Sequence, residues 1–510
     1  MSPPPPPLSG FDDDDAFSLR ARIGRVAGPL LFAALLLAPA PDGLSQAGWR
    51  AAAVGVWMAV WWMTEAIPIP ATALIPLMAF PALGVAEIDT AAAPYANPLI
   101  FLFMGGFLLA LAMQRWGLHR RVALEVVRRM GTRPPGLVGG VMTATAVISM
   151  WVSNTATAVM MLPIGLSLVE LARGEGGAAG EGGEAEHGRF AGAMLLGVAY
   201  AASIGGFATL IGTPPNALFA GFMRETYGYE VGFGRFMLVG VPMMLVTLPL
   251  CWLLLVRVVF PLRSRELPGG AALIDRELRA LGPVSRPEWT VLAVFVAAAA
   301  LWIASPWLGR FLPEGALSDA GVGIGAALVL FLAPAGGGRK TFVLTWEEGK
   351  KVPWDVLLLF GGGLSLADAL TKTGLAKWIG AQLAGLGALP TPVLVIVVAA
   401  VIVALSEVAS NTATAAAFLP VAASLAVGIG ESPLLLALPA VLAASCGFML
   451  PVATPPNAIA YGTGHVSVPQ MAKAGWWLDV LCIVAILAVT YTAALWAFDV
   501  QVGVVPVWAR

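Results

Sequence analysis

The fold class this sequence predicts is an all-α integral membrane protein of about eleven transmembrane helices, with two re-entrant hairpins set in an inverted repeat. Three observations predict it. Of 510 residues, 58% are hydrophobic and 12% charged, about half the charged share of a soluble domain and too little to clothe one in polar surface. Apolar stretches of about twenty residues, the length of one bilayer crossing, recur along the chain. Two Ser-Asn-Thr and two Thr-Pro-Pro-Asn motifs recur in the same order in both halves.

The elements follow from the amino terminus. Met1–Gly10 is proline-rich and Asp12–Asp15 is an acidic run. Neither suits an export signal, so residues 1–22 are expected to be a disordered cytoplasmic tail. Arg20, Arg22 and Arg25 precede the first transmembrane helix, placed at 23–46. Residues 47–260 form the first repeat and 289–510 the second, joined by a cytoplasmic linker at 261–288. Apolar runs fall near 26–40, 48–66, 68–85, 97–114, 190–223, 235–260, 289–308, 319–335, 355–371, 433–463 and 475–498. Two further stretches, 136–171 and 390–428, are interrupted midway by Ser-Asn-Thr. Each half reads as too short to cross, and irregular backbone at membrane depth needs protein or water around it, so both are expected to be re-entrant hairpins.

Charge sets the expected orientation. Arg120, Arg121, Arg128 and Arg129 lie on a short amphipathic pattern before the first hairpin. Arg263, Arg265, Arg276, Arg279 and Arg286 fill the central linker, and Arg339, Lys340, Lys350 and Lys351 a later loop. Placing all of these inside with the amino terminus satisfies the positive-inside rule. The first hairpin then enters from the cytoplasm and the second from outside. The glycine- and glutamate-rich stretch 173–189 reads as a flexible cytoplasmic loop.

The repeat rests on register. Phe103 and Phe360, Gly117 and Gly374, Ser153 and Ser410, and Pro163 and Pro420 are all 257 residues apart, whereas Thr213 and Thr454 are 241 apart. The 16-residue difference matches the size of the 173–189 stretch, present in the first half alone. With the two copies on opposite sides, the repeat is inverted, as in many secondary transporters.

Ser153-Asn154-Thr155 and Ser410-Asn411-Thr412 sit at the expected hairpin tips. A tip exposes backbone amides at the start of its second arm, where a helix end attracts anions. Hydroxyl and amide groups add neutral donors, suited to a carboxylate that must be bound and then released. Their oxygens, with carbonyls, also suit a hard monovalent cation. Thr213-Pro214-Pro215-Asn216 and Thr454-Pro455-Pro456-Asn457 break the segment after each hairpin and free carbonyls at Gly212 and Ala453. Helix-to-helix hydrogen bonding alone explains one such motif but fits two in register poorly.

Other features read more plainly. Glu65 and Glu407 are membrane-depth carboxylates. Glu65 alternatively sits at an interface, stabilising a helix start; Glu407 reads as a proton site or as tuning a cation site, and Asp368 shares the ambiguity. Trp57, Trp61, Trp62, Trp476 and Trp477 suit interfacial belts. Gly105-Gly106 and Gly361–Gly363 suit close helix packing, without the lysine-serine sequel of a phosphate loop. Cys251, Cys446 and Cys482 read as core residues, and the three histidines do not cluster. A net charge of −1 argues against a nucleic-acid partner.

The paired motifs, together with Trp62-Met63-Thr64-Glu65-Ala66-Ile67-Pro68, resemble the divalent anion/sodium symporter family of dicarboxylate, citrate and sulfate carriers, over roughly residues 48 to 498. The resemblance implies a homodimer with a scaffold and a transport domain, an elevator-type displacement, and sodium as the coupling ion. It implies that Asn154, Thr155, Asn411 and Thr412 hold the substrate carboxylates, with Ser153, Ser410, Thr213, Pro214, Thr454 and Pro455 around them. One sodium site would use Ser149, Ser153, Asn154 and Gly212, the other Ser406, Ser410, Asn411 and Ala453. Threonine at the third motif position fits dicarboxylate carriers better than sulfate carriers. The expected function is sodium symport of a C4 dicarboxylate (succinate, malate or fumarate) across a plasma membrane. The alternatives are sodium-independent exchange, or carriage of sulfate, citrate or tartrate. An enzyme is disfavoured by the absence of a metal cluster, catalytic aspartate pair or activated nucleophile. A channel is disfavoured because paired tips from opposite sides suggest alternating access.

Overall fold

The computed structural model describes residues 19–131, 133–175, 181–262, 270–308, 311, 313, 316–336 and 341–509. In chain order the helices are α1 (Leu19–Leu37), α2 (Gln46–Thr64), α3 (Ile69–Thr72), α4 (Ile75–Ala82), α5 (Ile88–Ala92), α6 (Pro98–Arg115), α7 (Leu118–Arg129) and α8 (Pro134–Ser149). They continue with α9 (Asn154–Glu175), α10 (Glu181–Gly206), α11 (Pro214–Tyr227), α12 (Phe233–Leu253), α13 (Gly270–Ala280), α14 (Arg286–Leu308), α15 (Asp319–Leu332) and α16 (Trp346–Gly349). The last are α17 (Trp354–Lys372), α18 (Leu375–Leu383), α19 (Thr391–Ser406), α20 (Asn411–Gly428), α21 (Leu434–Ala444), α22 (Pro455–Gly462), α23 (Val468–Val489) and α24 (Leu495–Ala497). Among the described residues, eight helical segments are long and apolar enough to cross a membrane. The shorter apolar helices include α8, α19 and α21.

Several boundaries depart from the sequence reading. Residues 1–18 of the expected tail lie outside the described residues, but α1 begins at Leu19, inside the stretch read as disordered. Arg20 explains this, because its guanidinium is anchored on Glu65 and on the Val408 carbonyl, so the helix start is held. The 173–189 stretch is mostly helix: α9 runs to Glu175 and α10 starts at Glu181. The 261–288 linker holds α13, an amphipathic helix whose Ile274 is buried and whose Glu277 pairs with Arg120 of α7. Arg263, Arg265, Arg339 and Lys340 fall outside the described residues. The halves of the two interrupted stretches are unequal. The second arms reach spanning length over Asn154–Ala172 and Asn411–Gly428, while the first arms stay at 16 residues.

Glycine contacts show how tightly the bundle closes. A Cβ on Gly105 of α6 would strike the Gly323 backbone of α15, and one on Gly362 of α17 the Ala73 carbonyl. The glycine runs therefore serve helix packing, as their sequence suggested. Each hairpin's long arm lies on a short helix of the other half: α9 packs on α22, and α20 on α11. This exchange brings the two sets of motifs into one core.

Candidate functional site

Each hairpin turns where Ser-Asn-Thr begins its second arm. Asn154 opens α9 and Asn411 opens α20. The first amides of a helix have no intrahelical acceptor. In the first half, Ser153 Oγ takes the Ala156 N–H at 3.3 Å, while the Asn154 and Thr155 amides begin the arm. Ser410 makes no such cap. Thr155 is exposed; Ser153, Asn154, Ser410, Asn411 and Thr412 are half-buried. The tip residues thus lie at partly exposed positions rather than in the core.

Behind each tip lies a cluster of oxygens. Ser149, fully buried at the end of α8, places its Oγ 2.7 Å from the Ala202 carbonyl and 2.8 Å from the Asn154 side chain. The Asn154 amide also faces Ala202 O at 3.0 Å and Gly212 O at 3.3 Å. All three neighbours are acceptors, and the serine has a single proton to give. The amide nitrogen is therefore assigned to face them. The second half repeats the arrangement. Ser406 Oγ lies 2.6 Å from the Ala444 carbonyl and 2.7 Å from Asn411 Oδ1, and Gly447, beside Ser406 and Asn411, abuts Ala453. Apart from the Asn154 amide nitrogen, both clusters are built of oxygens, with no basic side chain in either motif, and oxygen ligands suit a sodium ion. Among the described residues no group of His, Cys, Asp and Glu could hold another metal.

The broken segments are shaped by residues that the sequence reading did not assign to the site. Asn216 Nδ2 donates to Gly206 O at 3.0 Å and Thr209 O at 2.8 Å. Asn457 Nδ2 donates to Gly447 O at 3.1 Å and Leu450 O at 3.0 Å. Each asparagine thus bridges two carbonyls of the unwound strand ahead of its own helix, so that strand keeps one shape. Pro214 and Pro455 start α11 and α22 at the position where a missing N–H is harmless. Thr213 and Thr454 are buried, and Thr454 Oγ1 caps its helix by accepting from Asn457 N at 3.3 Å. Pro455 is exposed and Pro214 half-buried. Further buried oxygens, Thr157 and Thr414 Oγ1 and Ser203 and Ser445 Oγ, have no hydrogen-bond partner among the described residues and recur in both halves.

The doubtful acids separate. Glu65 closes the end of α2 in left-handed conformation, φ 50°, and pairs with Arg20 at 3.1 Å, so it finishes a helix rather than starting one. Asp368 pairs with Lys372 at 2.9 Å. Glu407 stands beside the second cluster without belonging to it.

A family model described as the sodium:sulfate symporter transmembrane region matches residues 22–499. The chain belongs to this family. It is a family of transporters, and this chain is a multi-pass membrane protein rather than an enzyme. The sodium-dependent dicarboxylate transporter SdcS of Staphylococcus saprophyticus is 41% identical over 496 residues, covering 95% of this chain and 93% of that protein. The transporter of the same name from Staphylococcus aureus strain USA300 is 41% identical over 477 residues, covering 93% and 91%. The fold resembles two solved structures at low identity. The YdaH transporter of Alcanivorax borkumensis has a TM-score of 0.54 at 15% identity and covers 94% of this chain and 97% of its own. MtrF of Neisseria gonorrhoeae has a TM-score of 0.55 at 13% identity, covering 95% and 96%.

Proposed function

We propose that this protein is a sodium-driven importer of C4 dicarboxylates such as succinate, malate and fumarate in a bacterial plasma membrane. The observation that carries the reading is the twin oxygen cluster, Ser149–Asn154–Ala202–Gly212 and Ser406–Asn411–Ala444, each directly behind the start of a helix. A cation in each cluster is a cargo ion held by oxygens. The anion lies in front, on the free amides and hydroxyls of Asn154, Thr155, Asn411 and Thr412, with Ser153, Ser410, Thr213, Pro214, Thr454 and Pro455 framing it. The names of the matched relatives support sodium and a dicarboxylate as the pair of solutes.

On this reading the two hairpins are re-entrant and enter from opposite sides, the amino terminus is cytoplasmic, and the protein is a homodimer. The core carrying both hairpins moves as an elevator against a scaffold built from α1, α2 and their neighbours. Crossing packing of α9 on α22 and of α20 on α11 supports a single moving body. The test is uptake of radiolabelled succinate into proteoliposomes with an inward sodium gradient, and with choline in its place. Sodium-driven accumulation is expected. Uptake unaffected by choline but driven by internal succinate would replace symport with exchange.

A further inference from the structure

We infer that Arg20 is a positioning residue that latches the turn of the second hairpin to the α1–α2 pair. Its guanidinium bridges Glu65 and the Val408 carbonyl, a contact that salt can release. The first hairpin's turn is locked by an aromatic cluster instead, so the second is the more easily freed. The inference deepens the transport reading and rests on it for its consequence, since there α1 and α2 belong to the scaffold and both hairpins to the moving core.

Arg20 lies in the first turn of α1. Its Nη1 donates to Val408 O at 2.6 Å, and its Nη2 stands 3.1 Å from Glu65 Oε1. Val408 falls between Ser406, which ends α19, and Asn411, which opens α20. Its carbonyl lies past the last turn of α19, and among the described residues no backbone N–H reaches it. The guanidinium is therefore the donor that satisfies it. A planar group with five N–H donors meets two acceptors at once, which a lysine does less well. The platform behind Arg20 is stiff. α1 packs along α2, Trp61 Nε1 donates to Gly24 O at 3.0 Å, and Arg25 Nε donates to Ala66 O at 2.7 Å. Glu65 holds a left-handed φ of 50°. A glutamate in that region costs energy and persists where its surroundings hold it; the pair with Arg20 is part of that hold.

The corresponding turn of the first half is held differently. Trp151 stands 257 residues before Val408. Its ring lies 4.9 Å from Phe295 and 6.5 Å from Trp302, both of α14, and 6.1 Å from Phe233 of α12. Phe233 and Trp302 are fully buried. Ring contacts of this kind bury apolar area, and ionic screening does not weaken them. At the second turn the Val408 side chain is 49% exposed, and the Arg20 and Glu65 side chains are 43% and 35% exposed. An exposed charged contact is modest in strength and falls with ionic strength. The turn's other polar ties stay inside the core, where Glu407 accepts from the backbone of Phe448, Met449 and Leu450. Displacing the core from the scaffold therefore breaks the Arg20 contact and leaves those of Glu407 intact.

The test uses the full chain in lipid nanodiscs, with spin-label distances read by pulsed electron paramagnetic resonance. The native cysteines are all buried, so labels go on introduced ones at exposed sites. Leu31→Cys on α1 with Val401→Cys on α19 reports the second hairpin, and Ile303→Cys on α14 with Ser167→Cys on α9 reports the first. Arg20→Ala should raise the share of a displaced α1–α19 distance about three- to tenfold and leave the α14–α9 distances unchanged. Arg20→Lys should fall between wild type and Arg20→Ala. Raising choline chloride from about 20 mM to about 500 mM should likewise shift the wild-type α1–α19 pair alone. An α1–α19 distribution that ignores both Arg20→Ala and salt overturns the inference. So does an equal change in both pairs, which marks general loosening. The distances are read without transport. If Arg20→Ala shifts them but sodium and succinate never do, the latch stands and the moving-core reading falls.

Discussion

Replacing Ser406 by alanine removes one oxygen from the second cluster and one donor from the Ala444 carbonyl. The hydroxyl is fully buried and 2.6 Å from that carbonyl, so no bulk water substitutes for it. A buried neutral hydrogen bond contributes about 0.5–1.5 kcal/mol, and orphaning its acceptor adds about 1–3 kcal/mol. Most of that loss falls equally on the ion-free and ion-bound protein and appears as reduced thermal stability. What reaches sodium affinity is the ligand itself, on the order of 1–1.5 kcal/mol, which converts to about five- to twelvefold in binding. The assay is succinate uptake into proteoliposomes as external sodium is varied, with thermal unfolding of the purified variant as a control for folding. The half-saturating sodium concentration should rise about five- to twelvefold while succinate affinity at saturating sodium stays near wild type. Ser149→Ala should do the same, because Ser149 has the same partners at nearly the same distances. An unchanged sodium requirement in both variants, with both proteins folded, would refute the assignment of cations to these clusters.

Three more outcomes follow from the same geometry. Asn216→Ala and Asn457→Ala each delete two buried hydrogen bonds to the unwound strands; each should destabilise the protein by about 2–3 kcal/mol in thermal unfolding and abolish uptake. Gly475→Ala on α23 would drive a Cβ into the backbone of Phe448 and Met449 and should yield little folded protein by size-exclusion chromatography, whereas Gly462→Ala, with open space around it, should behave as wild type. Because neither motif carries a basic residue, the site should take the dianion; with a second carboxyl pKa of about 5 to 6, succinate uptake should about halve as external pH falls from about 7.5 to about 5.5, and a rise would point to proton coupling.

Much of the site was legible because it is local. Ser-Asn-Thr and Thr-Pro-Pro-Asn break helices by their own chemistry, and the breaks fall where the motifs are. The register was legible too. Ser149 and Ser406, or Asn154 and Asn411, are 257 apart, and Asn216 and Asn457, with their carbonyl partners Gly206 and Gly447, are 241 apart. What escaped was tertiary or compositional. Glu407 accepting from the backbone N–H groups of Phe448, Met449 and Leu450 joins residues 41 to 43 apart. Arg20 reaching the second hairpin's turn is a contact across 388 residues. The α13 helix was hidden by its charges, although Leu273, Ile274 and Leu278 already offered an apolar stripe. The glycine-rich start of α10 reads as a loop because its intrinsic helix propensity is poor.

Asn154 belongs at once to the cluster behind the tip and to the donors in front of it, and this gives the proposed coupling a physical form. A primary amide has one face that accepts and one that donates. The nitrogen is assigned to face Ser149 Oγ, Ala202 O and Gly212 O, which leaves the oxygen on the other side of the amide. That oxygen repels a carboxylate. On the proposed reading, a sodium ion would take the oxygen as a ligand and turn the NH₂ outward to donate to the anion. Each solute then raises the affinity for the other, and the two effects must be equal because the coupling free energy is shared. Asn154→Asp tests this directly. Its carboxylate offers oxygen on both faces, so the cation cluster keeps its ligand while the anion meets a negative charge instead of a donor. Sodium binding, measured calorimetrically on the purified protein, should persist or tighten, while the sodium-induced gain in succinate affinity should vanish. If Asn154→Asp still binds succinate more tightly when sodium is added, the amide is not the link between the two sites.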